Sequence, residues 1–250
     1  MSLLQVENLS QSFGGLKVLD GISFSLEAGQ KVGLIGPNGA GKTTLLNVLS
    51  GLQPFQRGRI HFVGHEITRM PACGRVSLGL ARSFQMNTLF PNLNLLTNVL
   101  LAIQGTKTVR FQMLRPLTAY RDNLARAQEL LELMDLWDKR DCLIANLSHG
   151  EQRQVEILLT LASQPKLIML DEPNAGLSSA ETTALIEIIR NLGEDITVFF
   201  SAHDMDLVFA LAERVMVLYY GQIIAQGNPK EIRSDSKVMQ IYLGTGGEHA

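Results

Sequence analysis

Disulfides, cysteine metal clusters and membrane spans all lack raw material in this chain. It holds only two cysteines in 250 residues, Cys73 and Cys142. They lie far apart without metal-ligand spacing, so both are read as reduced thiols. No apolar run reaches the roughly 18 residues that a helix needs to cross a bilayer. The opening Met1-Ser2-Leu3-Leu4-Gln5 has no basic stretch followed by an apolar one, so no secretory leader is expected. Charge is sparse too, at 18% of residues with a formal net charge of −2. Without a basic run, the sequence offers no footprint for nucleic acid and no electrostatic anchor for a lipid surface. The chain is expected to be soluble by itself, with any membrane role coming through a partner. Internal repeats and low-complexity tracts are missing, and only the tail Gly244-Thr245-Gly246-Gly247 looks loose.

What is present is an apolar content of 46%, enough for a sizeable core. The length suits one large domain, or a core with an inserted subdomain. The most informative segment is Gly36-Pro37-Asn38-Gly39-Ala40-Gly41-Lys42-Thr43, a Gly-x4-Gly-Lys-Ser/Thr loop following the apolar run Lys31–Ile35. A buried strand that ends as a helix begins points backbone N–H groups at an anion. The glycines leave room where a Cβ would sit, Lys42 brings a cation to the β/γ-phosphates, and Thr43 offers a hydroxyl to Mg²⁺. The cradle is therefore read as Gly36, Pro37, Asn38, Gly39, Ala40, Gly41, Lys42, Thr43 and Thr44. A short helix from Thr43 to Ser50 is expected, stopped by Gly51.

The rest of the chain alternates between strand and helix signals. Ile22, Phe24 and Leu26 alternate with serines as a half-buried strand, and Arg59–Gly64 reads as another short strand. From about Leu95 to Trp137 the strand signals vanish. Leu124, Gln128, Leu131 and Met134, with Leu130, Leu133 and Trp137 beside them, mark a helix whose first turn accommodates Pro116. Leu167–Leu170 is a continuous apolar run of the kind found in parallel strands covered on both faces. Ser178 and Glu181 form a capping box opening a helix closed by Gly193. Thr197–Ser201 reads as the next buried strand, and Val215–Ile224 as a hairpin turning at Gly221. Strand, helix and strand in succession imply right-handed crossovers and a mostly parallel sheet.

Phosphoryl transfer needs positioning, a metal and something to aim a water. Asp171 stands at the end of the Leu167–Leu170 run, where a low dielectric strengthens its pull on a cation. Glu172 follows, so one carboxylate can face Mg²⁺ and the next a water. Leu147-Ser148-His149-Gly150-Glu151-Gln152 contains a capping box, Ser148 with Glu151, and a capped helix start is also an anion site.

That segment resembles the signature of ATP-binding cassette (ABC) ATPases, usually Leu-Ser-Gly-Gly-Gln. The resemblance spans about Leu4 to Gly244, with every family landmark in order. It implies an α/β fold: a P-loop NTPase (RecA-like) core with a mixed, mostly parallel sheet, an antiparallel β subdomain and an inserted α-helical subdomain. The core is expected over 1–86 and 155–250, and the helical signature subdomain over 87–154. The resemblance also implies ATP and Mg²⁺ as ligands. Phe13 would stack on adenine, and Gln85 would sense Mg²⁺ and the water and begin the segment that grips a membrane partner. Asp171 and Thr43 would hold the metal, with Lys42 in the cradle, Glu172 as catalytic base and His203 on the γ-phosphate. Ser148 and Gly150 would cap the γ-phosphate held by a second subunit in a head-to-tail dimer. Taken singly, Phe13 reads as core, Gln85 as a surface amide and His203 as a helix-flanking polar residue, and it is their order and number that carry the resemblance. Three residues depart from the usual pattern: His149 and Glu151 in the signature, and Ser178 where many relatives carry Asp.

Within the family, Phe13-Gly14-Gly15-Leu16-Lys17, Glu172-Pro173-Asn174-Ala175-Gly176-Leu177, His203-Asp204-Met205-Asp206-Leu207-Val208 and Tyr242-Leu243-Gly244 resemble the ATPase subunits of bacterial importers for branched-chain amino acids and related amides. This implies integral membrane permease subunits, a second ATPase subunit (identical or homologous) and, indirectly, a periplasmic substrate-binding protein. It also implies a place on the cytoplasmic face of the bacterial inner membrane. Leu89 and Phe90 either line a groove for a permease helix or pack within the helical subdomain. An importer for urea or aromatic acids, a soluble ABC protein acting on ribosomes or DNA, and an inactive nucleotide-binding partner are the alternatives. A single cassette without a heptad run argues against the soluble class, and intact Lys42, Asp171, Glu172 and His203 against the inactive one.

Overall fold

A computed structural model of the protein describes residues 2–83, 89–105 and 120–244. The first stretch runs β1 Ser2–Phe13, β2 Leu16–Glu27, β3 Lys31–Ile35, α1 Lys42–Ser50, β4 Arg57–Phe62, β5 His65–Glu66, α2 Ala72–Ser77 and β6 Leu80–Arg82. Among the described residues, three α-helices follow, α3 Leu95–Gly105, α4 Arg121–Leu133 and α5 His149–Leu161. The chain then returns to α/β order with β7 Leu167–Asp171, α6 Ser179–Arg190, β8 Thr197–Ala202, α7 Met205–Leu211, β9 Arg214–Tyr219 and β10 Gln222–Gly227. It closes with α8 Pro229–Ser234 and α9 Ser236–Gly244.

Two sheets result. The first is antiparallel, in the order β2-β1-β4-β5, and the second has the order β10-β9-β3-β8-β7-β6. All pairings in the second are parallel except the edge strand β10, which pairs antiparallel with β9. The expected α/β class, with a mostly parallel sheet beside an antiparallel one, is what the chain adopts.

The period of two along each parallel strand divides the interior into two cores. Val32, Leu34, Leu167, Met169, Phe199, Met216 and Leu218 face the antiparallel sheet and α1. Their neighbours Ile35, Ile168, Leu170, Val198, Phe200, Val215 and Val217 face the helices. A strand buried on both faces has no polar alternation, which explains the unbroken apolar runs. The helical region adds Leu95, Val99, Ile103, Ala127, Leu130 and Leu131 to the second core, so its helices pack onto the same interior. Helix α5 continues through position 154 without a break.

Several boundaries differ from the sequence expectation. β4 runs Arg57–Phe62, because pairing with β1 carries it back to Arg57, while Val63 and Gly64 take positive φ and form the turn into β5. Helix α1 begins at Lys42. Helix α6 ends at Asn191, whose N–H bonds the Glu187 carbonyl, and the chain then turns Leu192 into the core. Gly193 lies in the next turn, accepting from Ile196 N at 2.9 Å. Helix α4 starts at Arg121 after the extended Tyr120, and Pro116 lies outside the described residues. Its buried face is Asn123, Ala127, Leu130 and Leu131. Gln128 instead donates to Glu132 on the surface and Leu133 is exposed. The hairpin turn does fall at Tyr220-Gly221, both with positive φ, as a two-residue turn that matches strand twist requires.

Candidate active site

Strands β3, β7 and β8 are parallel and adjacent, so their C-terminal ends bring the loop after Ile35, the Asp171-Glu172 pair and His203 to one edge of the sheet. Ligand sites of such open sheets lie at this edge. The phosphate loop is shaped by its surroundings. A Cβ on Gly36 would lie 2.2 Å from the Leu218 carbonyl oxygen, so the loop packs directly on β9. Gly41 has φ 107° and would place a Cβ 2.7 Å from the Val18 carbonyl oxygen. Both features exclude a side chain while keeping the backbone close to any anion held there.

Lys42 Nζ donates to the carbonyls of Gly36 at 2.6 Å and Pro37 at 3.2 Å, folding the ammonium back over the loop. Burial pushes its pKa down, and the nearby carboxylates of Glu172 and Asp171 oppose that push. Thr43 Oγ1 lies 3.5 Å from Asp171 Oδ1. Asp171 is almost fully buried, at 1% exposure. Its Oδ1 accepts from Ser201 Oγ at 2.6 Å and its Oδ2 from Arg82 at 3.0 Å. A hydroxyl and a carboxylate side by side are hard oxygen donors of the kind that suits Mg²⁺.

Glu172 takes φ 46°, a left-handed conformation that a non-glycine residue adopts only at a cost. Its backbone N–H is held by Ser201, through Oγ at 3.0 Å and the carbonyl at 3.2 Å. Its Oε1 lies 3.7 Å from His203 Nδ1, and His203 itself is largely exposed.

Ser148 is the N-cap of α5. Its Oγ accepts from Glu151 N at 3.2 Å, and its own N–H donates to Glu151 Oε2 at 2.9 Å. Glu151 also contacts Lys139. Partial burial alone would raise the Glu151 pKa, but the bonds from Lys139 and Ser148 bring it below the usual carboxylate value. The N–H of Gly150 is engaged by Glu181, whose pKa is lowered first by Ser178 and further by Gly150. The Glu181 carboxylate is so close that a Cβ on Gly150 would sit 2.2 Å from its Oε1. Among the described residues, no hydrogen bond joins Ser148 or Gly150 to the phosphate loop of the same chain.

Thus Lys42, Thr43, Asp171, Glu172 and His203 come together, while Ser148 and Gly150 sit at a separate helix tip. Phe13 is 49% exposed at the end of β1, a surface aromatic and not a core residue. Asn38, Gly39 and Thr43 are exposed, Pro37 and Thr44 half-buried, and Ala40 buried. Gln85 lies outside the described residues. Leu89 packs against the helical core and Phe90 is exposed, so the pair is divided between the two readings given above.

The sequence did not single out Arg153, which binds three successive carbonyls: Pro173 through Nε at 2.9 Å, and Asp171 at 3.3 Å and Glu172 at 3.2 Å through Nη2. An arginine on the buried face of α5 is the only trace it leaves in the sequence. Ser201 and Arg82, which fix Asp171, were also missed. A polar residue closing an apolar strand was the available signal for Ser201.

The chain resembles known proteins over nearly its whole length. The ABC transporter family matches residues 19–175, and the branched-chain amino acid ATP-binding cassette transporter family matches residues 222–248. The chain is similar to the high-affinity branched-chain amino acid transport ATP-binding protein LivG of Salmonella typhimurium, 37% identical over 97% of this chain and 98% of that protein. It is also similar to the lipopolysaccharide export system ATP-binding protein LptB of Haemophilus influenzae, 34% identical over 98% of each chain. The crystal structure of the ADP conformation of MJ1267, an ATP-binding cassette of an ABC transporter, superposes with a TM-score of 0.88 at 31% identity, covering 98% of this chain and 99% of that one.

Proposed function

This chain belongs to the ABC transporter family as an ATP-binding, ATP-hydrolysing cassette, and from that premise we propose that it is the motor subunit of a bacterial importer for branched-chain amino acids or related amides. The observation that carries the importer reading is the full-length similarity to LivG together with the C-terminal family match over 222–248.

In this reading the loop amides and Lys42 hold the triphosphate, and Phe13 stacks on the adenine. Thr43 and Asp171, joined by Gln85, hold Mg²⁺, which when bound offsets charge on the β- and γ-phosphates. Glu172 accepts the proton of the attacking water, and His203, beside it, contacts the γ-phosphate. Ser148 and the Gly150 N–H present the capped tip of α5 to the nucleotide of a second ATPase subunit, identical or homologous. ATP closes this head-to-tail dimer and hydrolysis reopens it, which moves the permease. Glu151 brings a carboxylate to that tip, where the usual Gln is neutral, and Lys139 offsets it. Lys139→Met is therefore expected to lower ATPase activity several-fold at low ionic strength, less so in high salt, with Glu151→Gln restoring it. If the double variant stays as slow as Lys139→Met, the compensation is wrong.

The permease surface is the apolar groove of about 250 Å³ between α1, α2, β6 and α5. Leu52, 48% exposed, and Val76, 41% exposed, line it. Large apolar side chains left in water beside a concave surface suit a partner helix. Leu52→Glu is expected to abolish copurification with the permease while leaving the isolated subunit's stability within about 0.5 kcal/mol. Retained copurification would remove the groove from the interface.

The reading as a whole is tested by isolating the tagged chain from membranes. Integral permease subunits and ATP-dependent uptake of leucine-type amino acids are expected, with the chain on the cytoplasmic face of the inner membrane. Cosedimentation with ribosomes, or isolation with a lipopolysaccharide export partner, would overturn it. The substrate-binding protein that accompanies the permease would distinguish branched-chain amino acids from urea or aromatic acids.

A further inference from the structure

Arg82 ends β6 next to the metal carboxylate and is nearly buried, its side chain 8% exposed against 1% for Asp171. Its guanidinium is spread between two elements. Nη2 donates to Asp171 Oδ2 at 3.0 Å, while Nη1 donates to Asn47 Oδ1 at 2.6 Å and Ser50 Oγ at 3.3 Å on α1. The third donor, Nε, is buried with no partner among the described residues. Leaving a buried N–H unmet is costly, so the orientation of the fork is set by Asp171 and Asn47 and not by satisfying every donor. The other oxygen of Asp171 is fixed by Ser201 and faces Thr43.

We propose that Arg82 is the positioning residue of the metal site: it holds the Asp171 carboxylate against α1, the helix whose first turn supplies Lys42 and Thr43, so that both oxygen donors to Mg²⁺ keep a fixed spacing. The proposal rests on the reading of Asp171 as a metal ligand. Groups that orient a ligating carboxylate set metal affinity almost as strongly as the ligand itself. Lysine cannot replace this arginine, because a single ammonium does not reach Asp171 and Asn47 with two separately directed donors.

The test titrates Mg²⁺ calorimetrically into the full-length, ADP-loaded chain, with ADP affinity in EDTA and thermal midpoint measured alongside. Arg82→Lys is expected to weaken Mg²⁺ binding by about tenfold, the lower end of the range for such partners, with ADP affinity in EDTA unchanged. Asn47→Ala, which loosens the brace and leaves the ion pair, is expected to weaken it less, and it carries the test if the Arg82 variant does not fold. Asp171→Asn serves as the reference for full loss. If Asp171→Asn loses Mg²⁺ while Arg82→Lys or, failing that, Asn47→Ala keeps wild-type affinity, the proposal is wrong and the metal reading stands. If Asp171→Asn itself binds Mg²⁺ normally, the metal reading fails first. A thermal midpoint that falls with Mg²⁺ affinity unchanged would reduce Arg82 to a structural ion pair.

Discussion

Glu172→Gln is expected to slow ATP hydrolysis by roughly 10²–10⁴-fold, the usual contribution of a general base, while ATP still binds. The side chain keeps its shape and its neighbour His203 at 3.7 Å, but it can no longer accept a proton. With hydrolysis blocked, the proposed closed dimer should accumulate, visible as an ATP-dependent doubling of mass in size-exclusion chromatography with light scattering. Brisk turnover in this variant would remove Glu172 from the chemistry. The backbone supplies a second check. At φ 46° the residue is strained, so Glu172→Gly should be at least as stable as wild type and just as inactive. Strain kept at a position where relief would stabilise the fold is the mark of a residue held for function.

Lys42→Ala is expected to weaken ATP binding by about 10–100-fold, equivalent to losing charge-assisted bonds worth roughly 1.5–3 kcal/mol. The ammonium now rests on the carbonyls of Gly36 and Pro37, contacts that it would exchange for phosphate oxygens. Because those carbonyls are stranded in the variant, a modest loss of thermal stability should accompany the loss of affinity. Titration of a fluorescent ATP analogue measures the first and calorimetry the second. Unchanged affinity would mean that the loop amides alone hold the triphosphate.

The phosphate loop, the Asp171-Glu172 strand end and the two capping boxes were legible because each is local. A glycine spacing, an apolar run or a Ser-x-x-Glu pattern carries its structure within a few residues. The same held for the Tyr220-Gly221 turn. What escaped was set by distant neighbours. Pairing with β1 extended β4 to Arg57, which polarity alone had hidden, and the need to bury Leu192 ended α6 before its glycine. The arginines were the largest gap. Arg75 bonds the carbonyls of Val48, Leu49 and Met70, and burial lowers its pKa to about 10. Arg82 and Arg153 likewise act on residues far away in sequence. An arginine looks the same in a string whether it faces water or ties two elements together.

The grip of Arg153 on residues 171–173 gives α5 a second property. The helix that begins at Ser148 and Gly150 is fastened, a single turn from its start, to the segment bearing Glu172. In the proposed pair each subunit offers that tip to its partner's nucleotide and keeps that segment for its own. In that pairing the spent state of one ATP would reach the grasp on the other through the Arg153 contacts, so that the two sites would keep common time without any ligand passing between them.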